Sequence, residues 1–78
     1  MRDLPDDDSW MADHQRAIGD RIRTERRRQN ATQEALYLAA GIDRVTLQML
    51  EAGRGNPTLR VLLRVARALD VPLADLVR

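Results

Sequence analysis

Apolar residues recur at the spacing of an α-helix in several separate stretches of the chain, and no stretch has the alternation typical of a β-strand. The first stretch predicts an amphipathic helix that is capped by Ser9 or Asp13 and ends at about Gln29. Its inward positions follow at intervals of seven and four residues: Met11, Ile18 and Ile22. Asn30 suits the left-handed conformation that ends a helix, and we expect Trp10 to pack against the body of the domain.

The segment from 32 to 53 predicts two short helices joined by a tight turn. Thr32 can cap the first helix by accepting a backbone N–H bond, and Gly41 can supply the left-handed residue that ends it. Asp43 can cap the second helix, which we expect over residues 43–52. The inner positions of this second helix are Leu47 and Leu50.

The C-terminal part of the chain predicts a fourth helix and a short fifth one. Thr58 caps the fourth helix, which ends at about Leu69, and Pro72 opens the fifth. We expect the core side of the fourth helix to hold four residues: Leu59, Leu62, Ala66 and Leu69. The fold class is therefore all-α, with five helices.

More apolar residues lie in this part of the chain than one inner stripe requires. They either cover the small core or pair with a second copy across a two-fold axis. Our hypothesis is a homodimer, and the predicted interface residues are Val61, Val65, Leu73, Leu76 and Val77.

Length and composition exclude several classes of function. A chain of 78 residues holds one domain, which we expect over residues 9–78, after a flexible acidic tail over residues 1–8. There is no cysteine and a single histidine, His14, and no set of residues is arranged for catalysis or for a metal or cofactor site. No apolar run approaches the roughly 20 residues that span a bilayer, and a signal peptide is lacking, so we expect a cytoplasmic protein.

The net charge of +1 conceals a separation of charge along the chain. Residues 1–13 contain five aspartates and one arginine, a net charge of −4, whereas residues 14–78 contain twelve arginines and seven carboxylates, a net charge of +5. All the basic residues are arginine, which suits forked contacts to phosphate or guanine but equally reflects a GC-rich genome. The predicted domain is basic.

Several separated motifs appear in the order and at the distances of one known family. They are I-G-D-R-I-R at 18–23, T-Q-E-A-L at 32–36, A-G-I at 40–42, L-E-A-G at 50–53, N-P-T-L at 56–59 and A-L-D-V-P-L-A-D-L at 68–76. Together they resemble the Cro and phage-repressor type, or XRE-like, helix-turn-helix family. The resemblance implies a five-helix DNA-binding domain with the helix-turn-helix at helices 2 and 3, the latter entering the major groove of DNA.

Roles for individual residues follow from the resemblance. It implies that base edges are contacted by Arg44, Val45 and Met49. It implies contacts with the DNA backbone from Gln33, Asp43, Thr46, Arg54 and Asn56. It also implies a partly buried salt bridge between Arg26 and Glu51, which positions the helix-turn-helix.

The chain departs from the family pattern at several core positions. Tyr37 stands where relatives usually have alanine, so either its side chain swings outward or the crossing of the two helices opens. Leu38 replaces a residue that tends to be polar, Glu25 a leucine, and Ala31 a large apolar residue. We expect a repacked core.

These observations predict a sequence-specific DNA-binding transcriptional regulator, a repressor or a small standalone controller, that is not an enzyme. Its expected partners are double-stranded DNA and a second copy of the chain. The first alternative is an antitoxin that binds a toxin and regulates its own operon. The second is a module of the same fold that has lost DNA binding and serves protein interaction.

Overall fold

The computed structural model describes residues 9–78, and these form five helices with no β-strand. Their bounds are α1, Ser9–Arg28; α2, Gln33–Ala40; α3, Arg44–Glu51; α4, Leu59–Leu69; and α5, Leu73–Val77. The all-α prediction is confirmed. The predicted acidic tail over residues 1–8 lies outside the described residues. None of the five helices is long and apolar enough to cross a membrane.

Side-chain caps set the beginning of the three central helices. The hydroxyl of Thr32, the carboxylate of Asp43 and the hydroxyl of Thr58 each accept a backbone N–H three residues later, at 3.0, 2.6 and 3.1 Å. Each cap satisfies a backbone donor that has no partner within its helix. Gly41, with φ +69°, ends α2 in the left-handed conformation, and Asn30, with φ +56°, follows α1 in the same way. These predictions from local sequence are confirmed.

The core is formed where α3 lies between its neighbours. Helix α1 packs against α3 and α5, helix α2 against α3 and α4, and α4 against α5. The buried apolar residues come from all five helices: Ile22, Leu36, Ala40, Leu47, Leu50, Val65, Ala66, Leu69 and Leu76. A core of this size is small, so each contact at its edge matters to stability.

The inward face of α4 differs from the expected one. Leu59 is 63% exposed, whereas Val65 is 0% exposed and lies within the core. Leu76 of α5 is 2% exposed and is also a core residue. Assigning Val65 and Leu76 to a dimer interface was therefore wrong, since both side chains are already covered by their own chain.

The first turns of α1 extend past the core. Trp10 is 47% exposed, and its ring meets His14 of the same helix edge to face, with centroids 6.2 Å apart. The expected packing of Trp10 against the body of the domain was wrong, and Met11 is exposed as well. The helix includes Asp13, so a start capped by Asp13 was also wrong.

A glycine allows α1 to approach the end of α3 closely. A Cβ atom at Gly19 would lie 2.5 Å from the carbonyl oxygen of Leu50 and 2.9 Å from that of Glu51. Both obstacles are backbone atoms, so rotation of a side chain cannot relieve the overlap. The close approach of α1 and α3 thus depends on the absence of a side chain at Gly19.

We expect Gly19→Ala to destabilise the protein by about 1 to 3 kcal/mol, the usual cost of overpacking. In a helix free of tertiary contacts the same change would stabilise by roughly 0.5 to 1 kcal/mol, so the sign of the effect is diagnostic. Unfolding in urea measures it, with Thr24→Ala at an exposed position of α1 as the control. A variant as stable as the parent would contradict the close approach.

Candidate nucleic-acid interface

Helix α3 separates its side chains into an inner and an outer face. Leu47 and Leu50 are buried, whereas the three predicted base-contacting residues are exposed to solvent: Arg44, Val45 and Met49. The helical period accounts for Val45 and Met49, which are four residues apart on the side of α3 away from the two buried leucines, while Arg44 is the first residue of the helix. One face of α3 is therefore free to enter a groove of DNA.

The beginning of α3 carries a negative charge. Hydrogen bonds from the side chain and backbone of Thr46 hold the pKa of the Asp43 carboxyl below its usual value, so Asp43 is ionised at neutral pH. The charge stabilises the positive end of the helix dipole. Asp43 and Thr46, both predicted to contact the DNA backbone, thus bind each other at the beginning of α3.

A cleft joins the outer face of α3 to the loop that follows it. The cleft has a volume of about 220 Å³, and its lining includes Val45, Met49, Arg54, Asn56 and Pro57. With Thr46, which also lines the cleft, two predicted base-contacting residues and three predicted backbone-contacting residues share one concave surface.

The loop beside this cleft is fixed by α1. The Gln15 amide Nε2 donates a 2.8 Å hydrogen bond to the carbonyl oxygen of Gly55. Gly53, with φ +72°, packs so closely on Arg16 that a Cβ would lie 2.8 Å from the Arg16 Cα. Nothing local to residues 15 and 16 indicates a partner about 40 residues away, so the sequence did not predict this contact.

A buried salt bridge connects α1 with the end of α3. Arg26 Nε lies 2.8 Å from Glu51 Oε2, and Arg26 Nη2 lies 2.9 Å from Glu51 Oε1, so the pair is bidentate. Arg26 Nη1 also donates a 2.9 Å hydrogen bond to the carbonyl oxygen of Ala31. Its hydrogen bonds with Glu51 raise the pKa of the Arg26 guanidinium above its usual value. The predicted pair is present and fully hydrogen-bonded.

Gln33 connects this salt bridge with the beginning of α2. Its amide Nε2 donates a 3.2 Å hydrogen bond to Glu51 Oε1, and its side chain is half-buried. One amide hydrogen is thereby used, while the second hydrogen and the backbone N–H of this first helical residue have no partner inside α2. Gln33 can still donate to a phosphate at this helix end, where the dipole favours an anion.

Three of the residues that depart from the family pattern are Tyr37, Leu38 and Glu25. Tyr37 is half-buried and packs against the edge of the core, and Leu38 is exposed. Glu25 is bound by Arg28 and Gln29, whose hydrogen bonds lower the pKa of its carboxyl to about 2. No three potential metal ligands of the His, Cys, Asp or Glu type come together within residues 9–78.

A family model described as helix-turn-helix matches residues 22–76. The chain belongs to the Cro and phage-repressor type of helix-turn-helix proteins. It is 39% identical over 56 residues to an uncharacterized HTH-type transcriptional regulator of Archaeoglobus fulgidus. The aligned residues make up 72% of this chain and 80% of that protein. Family membership confirms the expected DNA-binding regulator.

Solved structures of regulators have the same fold. The restriction-modification controller protein C.AhdI of Aeromonas hydrophila is 32% identical and superimposes with a TM-score of 0.77, over 80% of this chain and 94% of that one. The clp gene regulator ClgR of Corynebacterium glutamicum is 28% identical, with a TM-score of 0.74 over 81% and 82% of the two chains.

We expect Arg26→Leu to destabilise the protein by about 3 to 5 kcal/mol, because it leaves the Glu51 carboxylate buried without its partner. Arg28→Leu, which breaks an exposed ion pair on the same helix, should cost under about 1 kcal/mol. Unfolding in urea compares the two variants. Equal losses would show that the buried pair has no special role.

Proposed function

We propose that this protein is a homodimeric regulator that reads a palindromic duplex site by laying α3 in the major groove of each half-site. The observation that carries the proposal is the single concave surface formed by the exposed face of α3 and the following loop. A major groove about 12 Å wide admits one α-helix, and the buried leucines of α3 fix which face is presented.

Base selection rests on three side chains of different chemistry. The Arg44 guanidinium can donate two hydrogen bonds to O6 and N7 of guanine. Val45 and Met49 offer only apolar contact, which suits thymine methyl groups. Their shared cleft gives a methyl group a concave apolar surface rather than an isolated side chain. We therefore propose half-sites that combine a guanine with neighbouring thymines.

Contacts with phosphate set the register of the protein on DNA. We assign them to Gln33 at the start of α2, to Thr46, and to Arg54 and Asn56 in the loop after α3. Gln33 is supported by its fixed amide on Glu51 and its position at a helix N-terminus. Asp43 acts as the cap of α3 close to the phosphates, so its charge opposes binding.

A second copy would extend the interface to two half-sites. With Val65 and Leu76 in the core, three of the residues first assigned to the dimer remain: the exposed Val77 and the half-buried Val61 and Leu73. Two-fold symmetry is favoured because symmetric dimers match palindromic sites whose halves lie about one helical turn apart. We propose that the dimer acts in the cytoplasm by binding alone, without catalysis, as a repressor or small controller.

We expect Arg44→Ala to weaken binding to the preferred site by about 1 to 3 kcal/mol and to relax the preference at one base pair. Arg27→Ala removes the same charge from an exposed position on α1 and is the matched control. Titrations with the preferred duplex and with random DNA separate the two effects. An equal loss on both duplexes would reduce Arg44 to a nonspecific charge.

We expect Asp43→Asn to tighten DNA binding by up to about fivefold, or about 1 kcal/mol, since asparagine caps as well as aspartate but lacks its charge. Asp70→Asn, at the end of α4, makes the same change in net charge and should have a smaller effect. The gain should shrink at high salt. Unchanged affinity at low salt would place Asp43 away from the phosphates.

Selection from a randomised duplex pool at near-physiological salt tests the proposed function directly. We expect an enriched palindrome, and its spacing measures the separation of the two α3 helices. Failure to enrich any sequence, together with weak and steeply salt-dependent binding, would contradict specific regulation. Sedimentation that finds only monomer at high micromolar concentration, with and without DNA, would contradict the homodimer.

A further inference from the structure

An apolar groove lies between α2 and α4. It has a volume of about 810 Å³, and Ala39 and Ala40 of α2 line it together with Leu59, Leu63 and Ala68 of α4. Leu59 and Leu63 are 63% and 49% exposed, although they are large apolar residues. They stand four residues apart on one face of α4, so they form a continuous apolar strip that their own chain leaves uncovered.

Three arginines of α4 surround this groove, and no acidic residue lines it. The side chains of Arg60 and Arg67 make no ion pair or hydrogen bond with another residue in the described part of the chain. Arg64 Nη1 lies 3.5 Å from the carbonyl oxygen of Ala40, near the negative end of the α2 dipole. The groove therefore combines an apolar floor with positive charges that are available to an incoming group.

The groove is separate from the proposed DNA-reading surface. None of the residues that we assign to base or phosphate contacts lines it, and none of its lining residues lines the cleft beside α3. Phosphate binding would use the arginines but would leave Leu59 and Leu63 in water. A ligand that satisfies both features must carry apolar groups next to negative charges.

We propose that this groove binds an acidic, amphipathic segment of a partner protein, an interaction that goes beyond DNA recognition. Two apolar side chains at helical spacing would cover Leu59 and Leu63, and flanking carboxylates would pair with Arg60 and Arg67. From Leu59 to Arg67, α4 rises about 12 Å, so two turns of a partner helix match its length. Such pairing would fix the orientation of the bound segment.

Charge and sequence argue against two other occupants. A second copy related by a two-fold axis through the groove would bring Arg60, Arg64 and Arg67 near the same arginines of its partner. Residues 1–8 of this chain are acidic, but Leu4 is their only apolar residue besides Met1 and Pro5. Met1 and Leu4 are three residues apart, but Arg2 lies between them and Pro5 follows directly, and proline disfavours a helical conformation at the residue before it, so this sequence does not fit a two-turn acidic amphipathic helix.

The test uses a display library of random short peptides selected against the full-length chain. We expect enriched peptides to carry two apolar residues at helical spacing flanked by Asp or Glu. The enriched peptide is then titrated against the parent chain and three variants. Arg60→Glu and Leu63→Asp should each weaken its binding by about tenfold or more. Arg27→Glu, which changes the net charge equally on α1, should weaken it less than about twofold.

Circular dichroism and DNA titration of the same variants control for folding, because neither Arg60 nor Leu63 belongs to the proposed DNA-reading surface. Four results would overturn the proposal. Selection could enrich no acidic peptide, or Arg60→Glu could weaken DNA binding far more than Arg27→Glu, making the groove a phosphate-binding surface. Leu63→Asp could abolish self-association, assigning the groove to a second copy. Peptide binding seen only after removal of residues 1–8 would assign it to that segment.

Discussion

The bidentate contact between Arg26 and Glu51 joins three parts of the chain that the helix order alone would leave loosely connected. Arg26 belongs to the last turns of α1 and also holds the carbonyl oxygen of Ala31, while Glu51 is the last residue of α3. Gln33, the first residue of α2, donates to the same carboxylate. Burying two charges is costly unless every donor and acceptor is satisfied, and here this network supplies the partners.

Close approach of α1 to α3 is the geometric condition for that network. Without a side chain at Gly19, the α1 backbone reaches the carbonyl oxygens at the end of α3, about two turns before Arg26 along α1. The same helix then supports the loop after α3, through Gln15 and Gly55. A single long helix thus fixes both the end of α3 and the loop that shares its cleft, which places the two halves of the proposed DNA-reading surface on one support.

What the sequence predicted well was local. The caps at Thr32, Asp43 and Thr58 depend on side chains and backbone atoms three residues apart, so sequence alone indicates them. The face of α4 was predicted less well, because several apolar stripes fit its sequence and only the positions of α2 and α5 decide that Val65 is buried while Leu59 is not. The contact between Gln15 and Gly55 had no local signal at all.

For the site, the family resemblance predicted the Arg26–Glu51 pair. The hydrogen bond from Gln33 to Glu51 was not predicted, because it depends on how the helices are arranged in three dimensions.

Helix α3 has 8 residues, fewer than an isolated helix needs for stability in water, so its shape and direction depend on tertiary contacts. Its beginning is held by the Asp43 cap, its end by Glu51, and its inner face by two buried leucines. Arg44 and Met49 lie between these fixed ends, so their separation and direction are set before any ligand arrives. Holding a short helix at both ends reduces the conformational entropy lost on binding, because the surface that meets the ligand is already ordered.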